Sequence, residues 1–467
     1  MKKECMTLVL AAVAAAAMGA GPVSVSVDFT KEVGTIRRLN GGNVGPNLAL
    51  SDIKGVGDGI AAFRELAVPL TRLHDIPIAN PSMRLVDTHQ IFGNEAADVQ
   101  NPENYYFEQT DDYIRTILAT GSRVLYRLGT SIEHSLNSYA ARPPKDYGKW
   151  ADVCVNIIRH YNEGWADGQR WNIEYWEIWN EPDIKKPMWL GSFEDFCRLY
   201  EVASKKIKAR FPNVKVGGPA FANFHPGSEK GEKLGRQFLA YCRDHKCPLD
   251  FLSWHRYDRA LPGIIREPVL MRRLVDEYGF ANAELILNEW HYWVGGFSKG
   301  TYSDSLDALA GVNSAVFATA VLTGWQDTPL TMGCFYTIGQ LSIWWGAWGR
   351  WNEPYRLFYT LKMFADVARH SHRVAATSGD ENVKVLAGRD DGGRRAVLVS
   401  NFKSGASEIR LKLEGAANVT FRTSLTDAKN ETLAGQVRAD AKGEIVLPGV
   451  PAAESSAWYL EECRTAP

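Results

Sequence analysis

Between residues 31 and about 370 the chain alternates short apolar runs with longer stretches whose apolar positions recur at helical spacing. The short runs are IRRLNGGNVG, PLTRLH, SRVLYRLG, YWEIWNEPD, VKVGGPA, LDFLSWHRY, ELILNEW and MGCFYTIG, which makes eight predicted strands. Between them lie patterns such as FEDFCRLYEVASKKIKARF, where Phe193, Phe196, Leu199, Tyr200, Ala203 and Ile207 share one helical face and Phe211-Pro212-Asn213 stops the helix. Strands alternating with helices predict parallel pairing through crossover helices. Eight such units in one domain predict an α/β fold, a (β/α)8 TIM barrel over residues 31–370.

After residue 371 the texture changes. VKVLAGR, RAVLVSNF, SEIRLKL, NVTFRTSL, GEIVLPG and SAWYLEE are short alternating runs broken by Gly, Asp and Asn turns, with no competing helical period. They predict a C-terminal all-β sandwich over residues 371–467. The segment at residues 22–30, VSVSVDF at its heart, alternates strictly and is expected to add a strand to that module. Residues 1–20 begin with Lys2 and Lys3, run apolar and end in small residues, the pattern of a signal peptide; the expectation is export to the periplasm or beyond the cell. Their apolar run falls short of the ~20 residues of a spanning helix, and no later segment is apolar for long enough, so no membrane span is expected in the mature chain.

Composition narrows the choice of partners. Lys plus Arg is 53 against 54 for Asp plus Glu, a net charge of -1, so nothing marks a polyanion coat and no nucleic-acid partner is expected. The 15 Trp, 18 Tyr and 19 Phe suit burial and equally suit stacking on sugar rings. Outside the leader the cysteines are Cys154, Cys197, Cys242, Cys247, Cys334 and Cys463, too sparse for a disulfide framework. Cys242 and Cys247 are close enough in sequence to bridge, and whether they do is left open. No Cys or His spacing supports a metal site, and no cofactor is expected.

In a TIM barrel the chemistry sits at the C-terminal ends of the strands. The strand YWEIW ends in Asn180-Glu181-Pro182-Asp183, and ELIL ends in Asn288-Glu289-Trp290. A carboxylate following a buried apolar run faces either the mouth of the barrel or a costly unpaired burial. Two carboxylates at one mouth are what glycoside hydrolysis requires: one protonates the leaving oxygen, the other attacks the anomeric carbon or activates water. Glu181 and Glu289 are therefore the candidate catalytic pair. Trp176 and Trp179 are expected to supply apolar bulk near Glu181, and Arg72, ending PLTR, is the candidate positive charge for an ionised partner. Glu177 on the Glu181 strand reads as structural. The cluster LSIWWGAWGRW after the eighth strand reads equally as a packed loop or as a stacking wall for sugar, and Glu133 and His134 in the third loop are as open.

These motifs resemble a known group. WEIWNEPD resembles the fourth-strand acid/base motif of clan A glycoside hydrolases, and LILNEW the seventh-strand nucleophile motif. TRLHD, VKVGGPA, DFLSWHRYD and NEPYRLFYTLKMFADVA resemble the second, fifth and sixth strands and last barrel helix of glycoside hydrolase family 39, the β-xylosidase and α-L-iduronidase family. The resemblance implies a retaining, double-displacement enzyme with Glu289 as nucleophile and Glu181 as acid/base. It implies that Asn180 binds the sugar 2-hydroxyl, that Tyr257 steadies the nucleophile, and that His255 and His74 contact the substrate or the acid/base; Asp75, following His74 at the barrel mouth, is a further candidate for substrate contact. Tyr336 stands where the clan often carries a stacking Trp; Trp290 and Trp345 complete the candidate substrate contacts. The chain departs from the family in Asn-Glu-Trp on the seventh strand and in GTSIEHS after the third, so the sugar is not carried over. The expected function is an exported glycosidase acting on oligo- or polysaccharide. The alternatives are an arabinosidase, galactosidase or glucuronidase on the same fold, or an inactive carbohydrate-binding protein.

Overall fold

The computed structural model describes residues 21–46, 59–75, 85–132, 137–227, 229–297, 301–339, 344–349 and 353–463. The leader, Glu133, His134 and Trp351 lie outside the described residues. The chain divides into two compact units, residues 38–293 with 327–353, and residues 1–37, 294–326 and 354–467.

The first unit is a closed parallel barrel of eight strands, in the order β2 (Asn40–Asn43), β3 (Leu70–Leu73), β4 (Arg123–Leu128), β5 (Tyr175–Ile178), β6 (Lys215–Phe221), β7 (Phe251–Asp258), β8 (Glu284–Tyr292) and β9 (Met332–Phe335). All eight strands expected from the hydrophobic pattern are present. Between β5 and β6 runs the helix Phe193–Arg210, opened by a capping box in which Ser192 Oγ accepts from the Asp195 amide and the Asp195 carboxylate accepts from the Ser192 amide. Such a cap contributes about 1 kcal/mol.

The alternation of the strands sorts side chains into layers along the barrel axis. Leu70, Leu125, Tyr175, Phe251, Ile286, Met332 and Cys334 form one apolar cluster. Two residues further along the same strands the interior turns polar, with Arg72, Arg127, Glu177, Ser253 and Asn288 all buried. The apolar floor keeps water out, so the polar layer above it must satisfy itself. At the N-terminal end, Glu284 instead accepts from Tyr175 and Lys215, a structural role.

The second unit holds one continuous sheet of nine strands, in the order β15-β14-β17-β12-β11-β10-β1-β13-β16. β1 (Val23–Thr35) pairs antiparallel with β10 (His372–Ser378) and parallel with β13 (Glu408–Glu414), so the N-terminal segment does join this sheet. β11 (Val383–Arg389), β12 (Arg395–Phe402), β14 (Thr420–Thr426), β16 (Glu444–Pro448) and β17 (Ser455–Glu462) match the expected runs. Alternate residues from across the sheet, including Val25, Val27, Val397, Leu411 and Leu460, share a single core. β15 (Leu433–Arg438) was not legible in sequence because it is an edge strand with almost every side chain exposed. The boundary at residue 371 is corrected as well: the helices Val312–Gly324 and Arg356–Ala368, expected in the barrel, belong to this unit. Among the described residues no single helix is long and apolar enough to cross a membrane.

Candidate active site

The site grows from the polar layer. Arg72 on β3 is fully buried and holds three strands together. Its Nε donates to Glu177 Oε2 at 2.7 Å, its Nη2 to Asn180 Oδ1 at 2.5 Å, and its Nη1 to Glu289 Oε2 at 3.2 Å and Asn43 Oδ1 at 3.3 Å. Glu177 Oε1 accepts in turn from Ser253 Oγ at 2.6 Å and from Asn288 Nδ2. Glu177 is therefore a positioning residue that fixes the guanidinium. It shares the phase of Tyr175 on a strand flanked by Trp176 and Ile178, and that phase was the available sequence signal.

Backbone irregularities aim the two candidate carboxylates. Strict alternation on β8 with Ile286 inside would turn Glu289 outward. The pairing with β7 instead passes from Trp254–Leu287 to His255–Glu289, so Asn288 is the extra residue of a β-bulge. Asn288 and Glu289 thus both point inward. After β5, Trp179 and Glu181 adopt left-handed backbone with φ of 72° and 49°. Strained conformations of this kind cost ~1–3 kcal/mol each and collect at functional sites. Gly129 makes room for the turn, since a Cβ there would meet the Trp179 ring at 2.9 Å.

The two carboxyl groups lie close together in unlike surroundings. An oxygen of Glu181, a nitrogen of His255 and an oxygen of Glu289 lie within 4.8 Å of one another. His255 bridges the pair, with Nδ1 2.8 Å from Glu181 Oε1 and Nε2 3.5 Å from Glu289 Oε2. Glu289 Oε1 accepts from the Tyr257 hydroxyl, while Oε2 faces Arg72. Burial, and after it the Asp183 carboxylate, push Glu181 up to about 8. Burial also raises Glu289, but His255, Arg72 and the Tyr257 hydroxyl pull it back. The guanidinium and the phenol both favour the ionised form of Glu289. Burial pushes His255 down to about 4, so the ring is neutral near pH 7. A neutral ring with its proton on Nε2 faces an ionised Glu289 and accepts the Glu181 proton at Nδ1. That arrangement suits one acid and one anion. The same three groups offer three ligand atoms to a cation, but Arg72 already supplies positive charge to Glu289, which opposes metal binding there.

Around the pair the structure gathers most of the expected residues. Asn180 is buried with its Nδ2 unpartnered, a donor available to a hydroxyl. Tyr336 donates to Asp75 Oδ2 at 3.1 Å, and Ile132 N donates to Asp75 Oδ1 at 3.3 Å. Arg127 Nε donates to His74 Nδ1 at 3.3 Å, which leaves the His74 Nε2 proton facing Asp75 Oδ2 at 3.4 Å. Trp344 packs into an aromatic cluster: its ring centroid lies 5.7 Å from Tyr257, 5.1 Å from Tyr336 and 5.0 Å from Trp293, the last pair stacked.

Two expectations need correction. Trp290, the next residue after the bulge, turns out of the barrel and is fully buried edge-to-face on Phe335, so it does not join the substrate contacts. Trp176 also faces outward, stacked on Tyr126 with its Nε1 donating to Ile173 O, and does not line Glu181. Trp345, the indole expected at the substrate, is half-buried, as is Trp344 before it in the chain.

Asp183 was missed as well. Its carboxylate accepts from Ala222 N at 3.0 Å, Asn223 N at 2.8 Å and Asn223 Nδ2 at 3.1 Å, which pins a negative charge two residues from Glu181. An anion nearby holds the proton on an acid. Asp183→Asn therefore lets Glu181 lose its proton earlier, and the alkaline limb of a kcat/KM–pH profile moves to lower pH by on the order of one unit. A limb that stays in place would show that Asp183 serves only the loop.

A barrel with paired glutamates at its mouth has the arrangement that glycoside hydrolysis requires. Comparison with known proteins points the same way: the model for glycosyl hydrolases family 39 matches residues 84–268 of the chain. The match takes in Glu181, His255 and Tyr257, while Arg72 and Glu289 lie outside it. A β-xylosidase of Geobacillus stearothermophilus is 34% identical over 122 residues, which is 26% of this chain and 22% of that protein. Among solved structures, a glucosidase from Croceicoccus marinus aligns with TM-score 0.74 at 22% identity, covering 96% of this chain and 100% of that one. A GH39 enzyme from Xanthomonas axonopodis pv. citri aligns with TM-score 0.69 at 17% identity, covering 95% and 98%. At those identities the structures share the fold. The matched stretches span about a quarter of the curated relatives, 22% and 25% of the first two.

Proposed function

We propose that this chain is an exported retaining glycosidase that removes a β-xylose-type sugar from its substrate, with Glu181 as acid/base and Glu289 as nucleophile. The observation that carries the reading is the opposed setting of two neighbouring carboxyls, one pushed up to about 8 and the other bound by Arg72 and Tyr257. Glu181 donates its proton to the leaving glycosidic oxygen as Glu289 attacks the anomeric carbon. The glycosyl-enzyme is then opened by a water that Glu181, now ionised, deprotonates. Retaining pairs sit ~5–5.5 Å apart and inverting pairs ~6.5–9.5 Å apart; oxygens within 4.8 Å favour retention. Two relatives named β-xylosidase, from Geobacillus stearothermophilus and Caldicellulosiruptor saccharolyticus, support the sugar. The signal-like pattern of residues 1–20 supports export.

The test is a panel of aryl glycosides with the anomer of the first product followed by NMR. We expect turnover on the aryl β-xyloside with the β-anomer released first. We also expect a bell-shaped pH profile, because activity needs Glu289 ionised and Glu181 protonated, with an alkaline midpoint near the value of about 8 for Glu181. Release of the α-anomer would overturn retention. Silence on every β-glycoside from the folded protein would favour the inactive carbohydrate-binding reading.

A further inference from the structure

The helix Glu229–Asp244 leads into β7, the strand that carries His255 and Tyr257. It ends in a full Schellman motif. Lys246 N donates to Arg243 O at 3.2 Å, Cys247 N donates to Cys242 O at 2.8 Å, and Lys246 between them has a φ of 52°. In this motif the residue that donates the outer bond and the residue that accepts it bring their side chains into contact, a place usually taken by two apolar groups. Here both are cysteines. The two thiols lie close enough to influence each other's ionisation, and both side chains are buried. The left-handed position is held by Lys246, where such caps favour glycine, so this cap carries backbone strain on the order of 1 kcal/mol. Pro248 follows at once and prevents the helix from continuing.

We propose that Cys242 and Cys247 close a disulfide in the mature protein, a covalent staple across the helix cap that fixes the start of β7. The chemistry needs a disulfide of low molecular weight or a disulfide-carrying oxidoreductase as oxidant, RS–SR. The Cys247 thiolate attacks RS–SR, forms a mixed disulfide and expels one RS⁻. The Cys242 thiolate then attacks the Cys247 sulfur and expels the second RS⁻. Two protein thiols are oxidised, one RS–SR is reduced to two RSH, and the two protons lost by the cysteines are taken up by the two RS⁻. The cap suits this order: the neighbouring Cys242 thiol holds the Cys247 thiol below its ordinary value, while burial holds Cys242 well above. The rival partner is Cys197, on the helix Phe193–Arg210 and within electrostatic reach of Cys247. The cap hydrogen bonds tie Cys247 to Cys242 and not to Cys197.

The test takes the full chain, once purified after export to a bacterial periplasm and once refolded in a mixture of oxidised and reduced glutathione. Free thiols are alkylated in denaturant and the protein is digested with trypsin, which cuts after Arg243 and after Lys246 and so separates the two cysteines. The expected result is one linked species joining the peptides 237–243 and 247–256, split by reductant into its two parts. Both peptides alkylated, in both preparations, or Cys247 linked to Cys197, overturns the proposal. A second readout is thermal. Reduction lowers the unfolding midpoint of the wild type by a few degrees and leaves that of the Cys242→Ser/Cys247→Ser variant unmoved. An equal response of the two proteins to reductant also overturns it. Turnover of the variant stays at the wild-type level, since neither cysteine touches the carboxylate pair.

Discussion

Glu289→Ala lowers kcat on an aryl xyloside by at least ~10⁴-fold, the scale on which loss of a nucleophile is felt. Glu181→Ala behaves differently. Loss of a general acid costs ~10²–10⁴-fold, and the loss shrinks as the leaving group improves, because a good leaving phenolate departs without a proton. The two variants are separated most sharply by an added small anion such as azide. In Glu181→Ala the glycosyl-enzyme still forms on Glu289, and azide enters the space left by the acid/base to give a β-glycosyl azide with retained configuration. In Glu289→Ala azide occupies the nucleophile's place and gives the α-product by one displacement. The same anion on the same barrel thus yields opposite anomers. The reason is positional: Glu289 is fixed from below by Arg72 and from the side by Tyr257, while Glu181 is held across the mouth by His255. Reversed anomers would mean that the two roles have been exchanged.

The second large effect is at Arg72. Its guanidinium reaches Glu177, Asn180 and Glu289 at once and is fully buried. Arg72→Met leaves Glu177 buried and without its cation, which costs ~3–5 kcal/mol. Against a total stability of ~5–15 kcal/mol that is a large fraction, and the urea midpoint falls accordingly. Lys does not rescue, because one ammonium on a flexible stem cannot reach acceptors from β2, β5 and β8 at once. The double variant Arg72→Met/Glu177→Gln recovers much of the midpoint, since the unpaired charge is gone. It does not recover activity. Glu289, without its guanidinium, keeps its proton to higher pH, so the acid limb of the pH profile moves upward, and kcat falls by ~10²-fold or more. A double variant with both stability and activity restored would reduce Arg72 to a structural ion pair.

How much of this was legible in the chain depends on which period carried it. The barrel strands were readable because each is a short apolar run between helical patterns, and parallel strands buried on both faces must be such runs. The carboxylates were readable because Glu181 and Glu289 end two of those runs. The direction in which side chains point was less legible, because it depends on phase. Asn288 sits in a bulge set by pairing with β7, and no local signal in LILNEW marks it. That slip turns Glu289 into the mouth and Trp290 out of it. Trp176 was misplaced for the same reason: it is adjacent in sequence to Glu177 and therefore on the opposite face of β5. Arg72 was found from its place at a strand end, but its chief partner Glu177 looked structural, since only a closed barrel brings β3 and β5 into reach. Asp183 follows Glu181 in the motif, yet its influence needs the amides of Ala222 and Asn223 to hold it there.

The measurement that tests the central claim most directly is covalent trapping with an aryl 2-deoxy-2-fluoro-β-xyloside bearing a good leaving group. Fluorine at C2 slows both steps by withdrawing electrons from the developing oxocarbenium ion. The leaving group restores the first step alone, so a glycosyl-enzyme accumulates. The account predicts one sugar per chain, attached to the peptide that contains Glu289, and no adduct in Glu289→Gln. An adduct on Glu181 or on another carboxylate, or turnover with inverted anomer and no adduct, would contradict it.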